Sequence, residues 1–122
     1  GVGEHTVVVG CVARFRPEKN QASLIRAFAV ALRDVQNAVL VLVGDGETEL
    51  ACRSLARSLG IDGYVRFVGA DREGARAHRA FDVSVLPSLN EGSPNSVIEA
   101  MASARPVIAT DVGGVGEVIR SG

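Results

Sequence analysis

The sequence predicts one α/β domain built on a doubly wound parallel sheet of about five strands. Apolar, strand-like runs alternate with helix-like segments along all 122 residues. The runs are apolar at nearly every position, which is typical of parallel strands covered by helices on both faces. The sequence contains no internal repeat, low-complexity tract or linker, so we interpret residues 1–122 as a single domain.

The first two strand–helix pairs have the clearest patterns. Thr6–Ala13 is a continuous run rich in β-branched residues, and Ala38–Val43 is a second buried strand. Apolar residues at helical spacing predict a first helix over Gln21–Val35. A second helix is predicted over Leu50–Leu59, with Gly60 as its stop.

The later elements are shorter. Three further strands are predicted at Tyr64–Val68, Val83–Leu86 and Val107–Ala109. Helices are predicted at Glu73–Ala80 (weak and polar), at Pro94–Ala104 with Ser93 as its N-cap, and at Gly114–Arg120.

The composition excludes several classes of function. The 13 basic and 14 acidic residues give a formal net charge of −1 without a block of like charge, which argues against nucleic-acid binding and against a basic membrane-binding face. A hydrophobic content of 47% argues against disorder. No run approaches the ~20 apolar residues that span a bilayer, and the N-terminus lacks the pattern of a signal peptide. We therefore expect a cytoplasmic protein.

The two cysteines predict neither a disulfide nor a metal site. Cys11 lies in a strand-like run and Cys52 in a helix-like run, so we expect both to be small buried hydrophobic residues. With two histidines and no paired cysteine spacing, the sequence offers no recognisable set of metal ligands.

Ligands of open α/β sheets bind at the carboxyl ends of the strands, so the loops there are the candidate site. The loop after the first strand carries Arg14, Arg16 and Lys19 just before a helix, which suits an anion such as phosphate. The alternative is a solvated turn. Gly44-Asp45-Gly46, after the second strand, is a tight turn and not the dinucleotide fingerprint; a P-loop motif is absent as well.

The loop after the fourth strand holds two glutamates near a helix start. Glu91 lies in the loop, and Glu99 lies ~7.5 Å along the axis of a helix that begins at Pro94. The two carboxylates would lie on either side of the helix start and would not face each other across one scissile bond. Glycosidases need that arrangement, so a hydrolytic pair is disfavoured. In the alternative interpretation, Glu91 only complements the helix dipole and Glu99 faces solvent.

Several segments together resemble the C-terminal, donor-binding half of GT-B glycosyltransferases, over essentially the whole chain. Glu91 and Glu99 match the E-x7-E motif of the large retaining family called family 4, and Arg14 and Lys19 match the basic pair of its first loop. The other matching segments are Val43–Gly46, Val65–Gly69, Asp82–Ser88, Glu91–Met101 and Pro106–Gly114.

This resemblance implies a Rossmann-like domain with a role for each matched residue. Arg14 and Lys19 would neutralise the donor diphosphate. Glu91, as the catalytic residue, would hold hydroxyls of the transferred sugar together with the backbone amides of Gly92 and Ser93. The implied reaction is transfer of a hexose from a UDP- or GDP-sugar, with retention of configuration and without a metal or other cofactor.

The resemblance also implies the nucleoside contacts and the biological setting. Glu99 would bind the ribose hydroxyls, and Val68 and Gly69 would lie where the family grips the base. The acceptor would be a glycan or lipid-linked molecule in bacterial envelope or exopolysaccharide synthesis.

The same family uses an N-terminal domain to bind the acceptor, and residues 1–122 do not contain it. We therefore expect this chain to bind donor but hardly to catalyse transfer, with the acceptor domain supplied in cis or in trans. Peripheral association with a membrane would occur only through parts of the enzyme that residues 1–122 do not contain. The alternatives are a fragment of a GT-B-type sugar-nucleotide epimerase and a non-catalytic nucleotide-sugar-binding or interaction module.

Five positions depart from the family pattern. Ala13 and Asn20 stand where glycines are usual, and Ser93 stands where a bulky residue often follows Glu-Gly. His78 stands in place of a tyrosine and Phe81 in place of an alanine. The last two departures predict that the third helix packs poorly and put nearby base recognition in question.

Overall fold

The computed structural model describes residues 6–70, 77, 79–87 and 107–109. The elements are β1 Val7–Val12, α1 Gln21–Ala31, β2 Ala38–Val43, α2 Glu49–Ser58, β3 Val65–Gly69, β4 Val83–Leu86 and β5 Val107–Ala109. The strands pair in the order β3-β2-β1-β4-β5, and every neighbouring pair is parallel. The predicted α/β fold with about five parallel strands is thus confirmed.

The main core lies between the sheet and the pair of helices α1 and α2. Alternate residues of β2, Ala38, Leu40 and Leu42, face this layer, as the two-residue period of a strand requires. Against them pack buried residues of β1, α1, α2, β3 and the connecting loops: Cys11, Phe15, Leu24, Ile25, Phe28, Cys52, Ala56, Ile61 and Val65. Removal of this aliphatic surface from water is the main force that holds α1 and α2 on the sheet.

On the opposite face of β1, Gly10 lies against the aromatic ring of Phe81. Phe81, just before β4, is 2% exposed. A Cβ atom added to Gly10 would come within 2.2 Å of three ring carbons of Phe81, so the missing side chain at Gly10 makes the space that this ring fills. Phe81, which departs from the family pattern, is therefore accommodated by a glycine on the neighbouring strand.

Three strands have the predicted limits, and four elements differ from the prediction. β1 is one residue shorter at each end than the predicted run Thr6–Ala13, α2 is shifted by one residue from Leu50–Leu59, and β3 extends one residue further, to Gly69. The limits of β2, β4 and β5 are as predicted. β3 begins at Val65 and not at Tyr64, because residues Asp62–Tyr64 form a 3-10 turn. α1 ends at Ala31, four residues before the predicted Val35.

The early end of α1 has a local cause. The backbone N–H groups of Arg33 and Asp34 donate to the carbonyls of Val30 and Ala31, three residues back. This tighter pattern closes the helix. Val35 lies beyond it and is 45% exposed, so its helical spacing in the sequence did not indicate a core position.

Gly60 ends α2 as predicted. Its φ of 73° places it in the left-handed region, and its N–H donates to the carbonyl of Arg57 while the N–H of Ile61 donates to that of Ala56. This pair of bonds is the Schellman arrangement, which satisfies carbonyls at the end of a helix. Ile61 and Ala56 are both in the core.

Three helix predictions fall wholly or mostly outside the described residues. The segments are 73–80, of which Ala77 and Arg79 are helical, 94–104 and 114–120. The predicted poor packing of the third helix also stays a prediction.

Both cysteines are buried and free, as the sequence predicts. Burial raises the pKa of the Cys11 thiol from 9.0 to about 12, and burial also raises the pKa of Cys52. Low-dielectric surroundings disfavour the thiolate, which is the nucleophilic form of cysteine.

The raised pKa of Cys11 predicts a loss of stability in alkali. Between pH 9 and 12 the unfolded thiol is ionised while the folded thiol keeps its proton, so the free energy of unfolding falls as pH rises through this range. Three pKa units correspond to at most about 4 kcal/mol. Urea unfolding from pH 8 to 11 measures the slope. Cys11→Ala, which lacks this ionisation, should show a shallower decline, and equal slopes would contradict the assignment.

Candidate functional site

The candidate site lies at the carboxyl edge of the sheet, where the strand order reverses. β1 has β2 on one side and β4 on the other, so the strand that follows β1 and the strand that follows β4 lie toward opposite edges of the sheet. This topological switch point is where open α/β sheets form a ligand crevice. The predicted Arg14 and Lys19 lie in the connection after β1, and Pro87 begins the connection after β4.

Phe15 anchors the loop after β1. Its side chain is 1% exposed, and its ring centroid lies 6.0 Å from that of Phe67 on β3. Its backbone N–H donates to the carbonyl of Asp45 (2.8 Å), and its carbonyl accepts from the N–H of Thr48 (3.0 Å). Because Phe15 is buried, the guanidinium groups of its neighbours Arg14 and Arg16 are left at the surface.

Gln21, the first residue of α1, fixes the backbone of Arg14 from a second direction. The side chain is 2% exposed, and its Nε2 donates to the Arg14 carbonyl at 2.8 Å. The N–H of Arg16 donates to the same carbonyl at 3.0 Å. The backbone that carries the Arg14 side chain is thus held before any ligand arrives.

The loop after β2 supports the first loop by direct backbone contact. A Cβ atom on Gly44 would lie 2.0 Å from the Ala13 carbonyl oxygen, and one on Gly46 would lie 2.5 Å from the Phe15 carbonyl oxygen. The φ values, 140° and 147°, also favour glycine. Gly44-Asp45-Gly46, which the sequence predicts to be a tight turn and which belongs to the family-like segment Val43–Gly46, therefore supports the Arg14 loop.

Asn20 connects the two loops of the switch point. It follows the 3-10 turn Pro17–Lys19 and takes a left-handed conformation, with φ 58° and ψ 35°. This conformation explains why asparagine replaces the glycine of the family pattern, since asparagine tolerates it better than most side chains. Its Nδ2 donates to the Pro87 carbonyl at 3.1 Å, and its Oδ1 accepts from Ser23 Oγ at 2.7 Å.

Val68 and Gly69, the predicted base contacts, lie at the end of the edge strand β3. Val68 is 59% exposed, and the Gly69 carbonyl accepts from the Gly44 N–H at 2.7 Å. The structure places them on the same sheet edge as Arg14 and Lys19, with β2 between β3 and β1. Their proposed contact with a base stays a prediction.

Arg16 lines a groove that Arg14 does not line. It lines a groove of about 490 Å³ between α1 and α2, together with residues of both helices such as Arg26 and Leu55. Arg14 and Lys19 are not among the residues that line this groove. Arg16 is therefore a natural control for the effect of positive charge in the same loop.

Four predicted site residues lie outside the described part of the chain: Glu91, Gly92, Ser93 and Glu99. Their roles, the E-x7-E motif included, stay predictions. Within the described ranges, no three His, Cys, Asp or Glu side chains come together as a potential metal site.

None of the helices in the described ranges has both the length and the apolarity that a bilayer-spanning helix needs.

The residues that shape the site without carrying charge do not stand out in the sequence. Phe15, Gln21 and the Asn20–Pro87 contact all depend on the fold, and Asn20 and Pro87 are 67 residues apart. One available signal was Phe15 itself, because a lone aromatic residue between two arginines in a polar loop needs a buried site. The left-handed conformation was also foreseeable, because Asn20 stands where the family pattern has glycine.

The sequence matches the family model described as glycosyl transferases group 1 over residues 6–122. It is 35% identical over its full length to a putative glycosyltransferase, EpsD, of Bacillus subtilis, and covers 32% of that protein. It is 34% identical, again over its full length, to N-acetyl-alpha-D-glucosaminyl L-malate synthase of Bacillus anthracis, of which it also covers 32%. The chain thus spans about a third of the length of these relatives.

Two solved structures are similar in fold and in sequence. Anabaena HepE, in complex with UDP and glucose, superposes with a TM-score of 0.84 at 28% identity, over 93% of this chain and 32% of HepE. The C-terminal domain of LpcC, a group 1 glycosyl transferase from Francisella tularensis, superposes with a TM-score of 0.80 at 30% identity, over 92% of this chain and 62% of that one.

Proposed function

Because the chain belongs to the glycosyl transferases group 1 family, we propose that it is the donor-binding domain of a retaining glycosyltransferase. In this proposal the donor is a hexose linked to UDP or GDP, and the acceptor is a glycan or a lipid-linked molecule. The UDP and glucose bound to the similar protein HepE favour a UDP-linked donor. The matching part of LpcC is a C-terminal domain. This similarity supports the assignment of the present chain to the C-terminal, donor-binding half of the enzyme.

One observation carries the proposal: the cation-bearing loop is held in place at the switch point. Arg14 has an exposed side chain on a backbone fixed by Gln21 and by the buried neighbour Phe15. Lys19 ends the 3-10 turn that leads to Asn20 and α1. Cations carried by a held backbone at the carboxyl edge of a sheet, before a helix N-terminus, suit a diphosphate.

The proposed chemistry uses these cations to stabilise the leaving group. When the bond between sugar and diphosphate breaks, negative charge develops on the departing nucleoside diphosphate. Arg14 and Lys19 stabilise this charge, and positioned charges of this kind act strongly where water is excluded. The proposal therefore includes no metal ion or other cofactor.

The remaining roles rest on the sequence motif alone. Glu91 is the proposed catalytic residue and holds hydroxyls of the transferred sugar together with the backbone amides of Gly92 and Ser93. Glu99 accepts hydrogen bonds from the ribose hydroxyls. Val68 and Gly69 contact the base.

The acceptor requires residues beyond the donor site. Since the chain spans about a third of the length of its relatives, we propose that a further domain, in the same polypeptide or in a partner, binds the acceptor. Residues 1–122 alone then bind donor without efficient transfer, because positioning of the acceptor supplies much of the rate, up to ~7–11 kcal/mol in favourable cases.

Titration of UDP into substituted chains tests the proposal. Each charge-assisted contact contributes about 1.5–3 kcal/mol, so Arg14→Ala and Lys19→Ala should each weaken UDP binding about tenfold or more. Added salt should weaken binding to the native chain. Calorimetry measures the affinities, and circular dichroism verifies that each variant is folded.

Arg16→Ala is the matched control, because Arg16 lies in the same loop but lines the groove between α1 and α2. It should bind UDP nearly as the native chain does. An equal loss for Arg16→Ala and Arg14→Ala would mean a diffuse positive patch, and no UDP binding by the native chain would contradict the proposed function.

A further inference from the structure

Gln21 is a polar residue on the side of α1 that faces the core. It is buried together with Leu24, Ile25 and Phe28 of the same helix, and the spacing of three or four residues places all four on one helical face. The other three are large apolar residues of the main core. The position of Gln21 is therefore one at which burial favours an apolar side chain.

The amide of Gln21 has a hydrogen-bond partner at one end and lacks one at the other. Nε2 donates to the Arg14 carbonyl at 2.8 Å, and this bond fixes the orientation of the amide, because a carbonyl can only accept and so must face the NH₂ group. The Oε1 atom at the other end is closed to water and has no hydrogen-bond partner among the described residues. A buried acceptor without a donor destabilises the folded state, so this oxygen lowers the free energy of unfolding.

The Arg14 carbonyl does not need the Gln21 amide in order to be satisfied. It also accepts from the backbone N–H of Arg16 at 3.0 Å, so it would keep a donor if Nε2 were removed. The bond from Arg16 lies within the loop, between residues two apart, and cannot set where the loop lies relative to α1. The bond from Gln21 joins the loop to the first residue of that helix. What Nε2 adds is therefore the position of the Arg14 backbone.

We propose that Gln21 is a positioning residue whose amide makes the fold less stable and holds the Arg14 backbone ready for a diphosphate; this rests on the proposed function. A loop that is already held does not have to be ordered when the ligand binds, and such preorganisation increases affinity. The Gln21 side chain is buried, so it acts through Arg14. Loss of the amide should consequently change stability and affinity in opposite directions.

Gln21→Met is the test, because methionine is similar to glutamine in length, favours helix as well, and has no amide. The urea midpoint should stay at the native value or rise, since the unpaired Oε1 is gone and the Arg14 carbonyl keeps the Arg16 donor. UDP binding should weaken about three- to tenfold, the range of one neutral hydrogen bond. Circular dichroism measures the midpoint and calorimetry the affinity. A purely structural role for Gln21 would instead lower the midpoint.

Thr48→Val is the matched control. Thr48 Oγ1 is the other buried side-chain oxygen without a hydrogen-bond partner among the described residues, and the Thr48 side chain makes no capping bond to α2. The substitution removes this oxygen and leaves the bond between Gln21 and Arg14 in place, so UDP affinity should stay native.

A double variant shows whether Gln21 acts through Arg14. In an Arg14→Ala background, Gln21→Met should weaken UDP binding no further, because the side chain that it positions is absent. Native UDP affinity or a lowered midpoint in Gln21→Met, an equal loss in Thr48→Val, or additive losses in the double variant would overturn the inference while the Arg14→Ala result still supported the proposed function. Failure of the native chain to bind UDP would overturn both.

Discussion

Replacing Gly10 with alanine is expected to lower the free energy of unfolding by about 3 kcal/mol, the upper end of the usual cost of overpacking. The added methyl group would meet three carbons of the Phe81 ring at 2.2 Å. The ring is buried, so it cannot turn into solvent to relieve the contact. Either β1 must shift from its register with β2 and β4 or the ring must leave its site. Urea unfolding followed by circular dichroism measures the loss.

A double-mutant cycle shows whether the ring causes the loss. Phe81→Ala alone should cost ~3–5 kcal/mol through the cavity that it leaves. In the double variant the new methyl group occupies part of that cavity. The free energy of unfolding lost by the double variant should therefore be at least about 1 kcal/mol smaller than the sum of the losses of the two single variants. Gly63→Ala is the control, because nothing lies within 4 Å of a Cβ atom there. Additive losses would contradict a direct contact between Gly10 and Phe81.

The sheet was predictable from the sequence because its strands are set by local composition. Ala38–Val43 and Val83–Leu86 are apolar runs between turn residues, and both have the predicted limits. Burial on both faces leaves few other states for such runs. The helix ends were less predictable. Val35 continues the helical spacing but lies past α1, because spacing does not reveal where i→i+3 bonds replace the helical ones.

The charged residues of the candidate site were predictable from the sequence, but the residues that hold them in place were not. Arg14 and Lys19 were recognisable because they match a family motif, whereas their position in the loop alone also fitted a solvated turn. The positions that hold them, Gln21 and Asn20, are polar residues of common type. Their importance comes from burial and from contacts between segments distant in sequence, as between Asn20 and Pro87. Such contacts follow from the strand order, which cannot be predicted from a single sequence.

In the Gly44-Asp45-Gly46 loop, the need for glycine comes from a segment that is distant in the sequence. The sequence alone favours a tight turn, for which many residues would serve. In the structure the Ala13 carbonyl and the Phe15 backbone occupy the space where side chains of residues 44 and 46 would begin. The requirement for glycine therefore arises from the neighbouring loop and not from the turn itself.

Gly44→Ala should consequently affect both stability and ligand binding. Its Cβ atom would lie 2.0 Å from the Ala13 carbonyl oxygen at a φ of 140°. A backbone oxygen cannot rotate away as a side chain can, so the loop that carries Arg14 must move. Strain in φ and the steric contact together should cost about 3 kcal/mol of unfolding free energy. UDP binding should weaken about tenfold, as if the Arg14 contact were lost.

Two glycine controls separate the causes of this loss. Gly60 has a φ of 73° with nothing within 4 Å of its Cβ position, so Gly60→Ala should cost ~1–2 kcal/mol from strain alone and leave UDP binding unchanged. Gly63 has neither a positive φ nor a close neighbour, so Gly63→Ala should change neither property. The steric contact with Ala13 predicts that Gly44→Ala alone among the three weakens UDP binding. Native affinity for UDP in a folded Gly44→Ala variant would mean that this contact does not position the Arg14 loop.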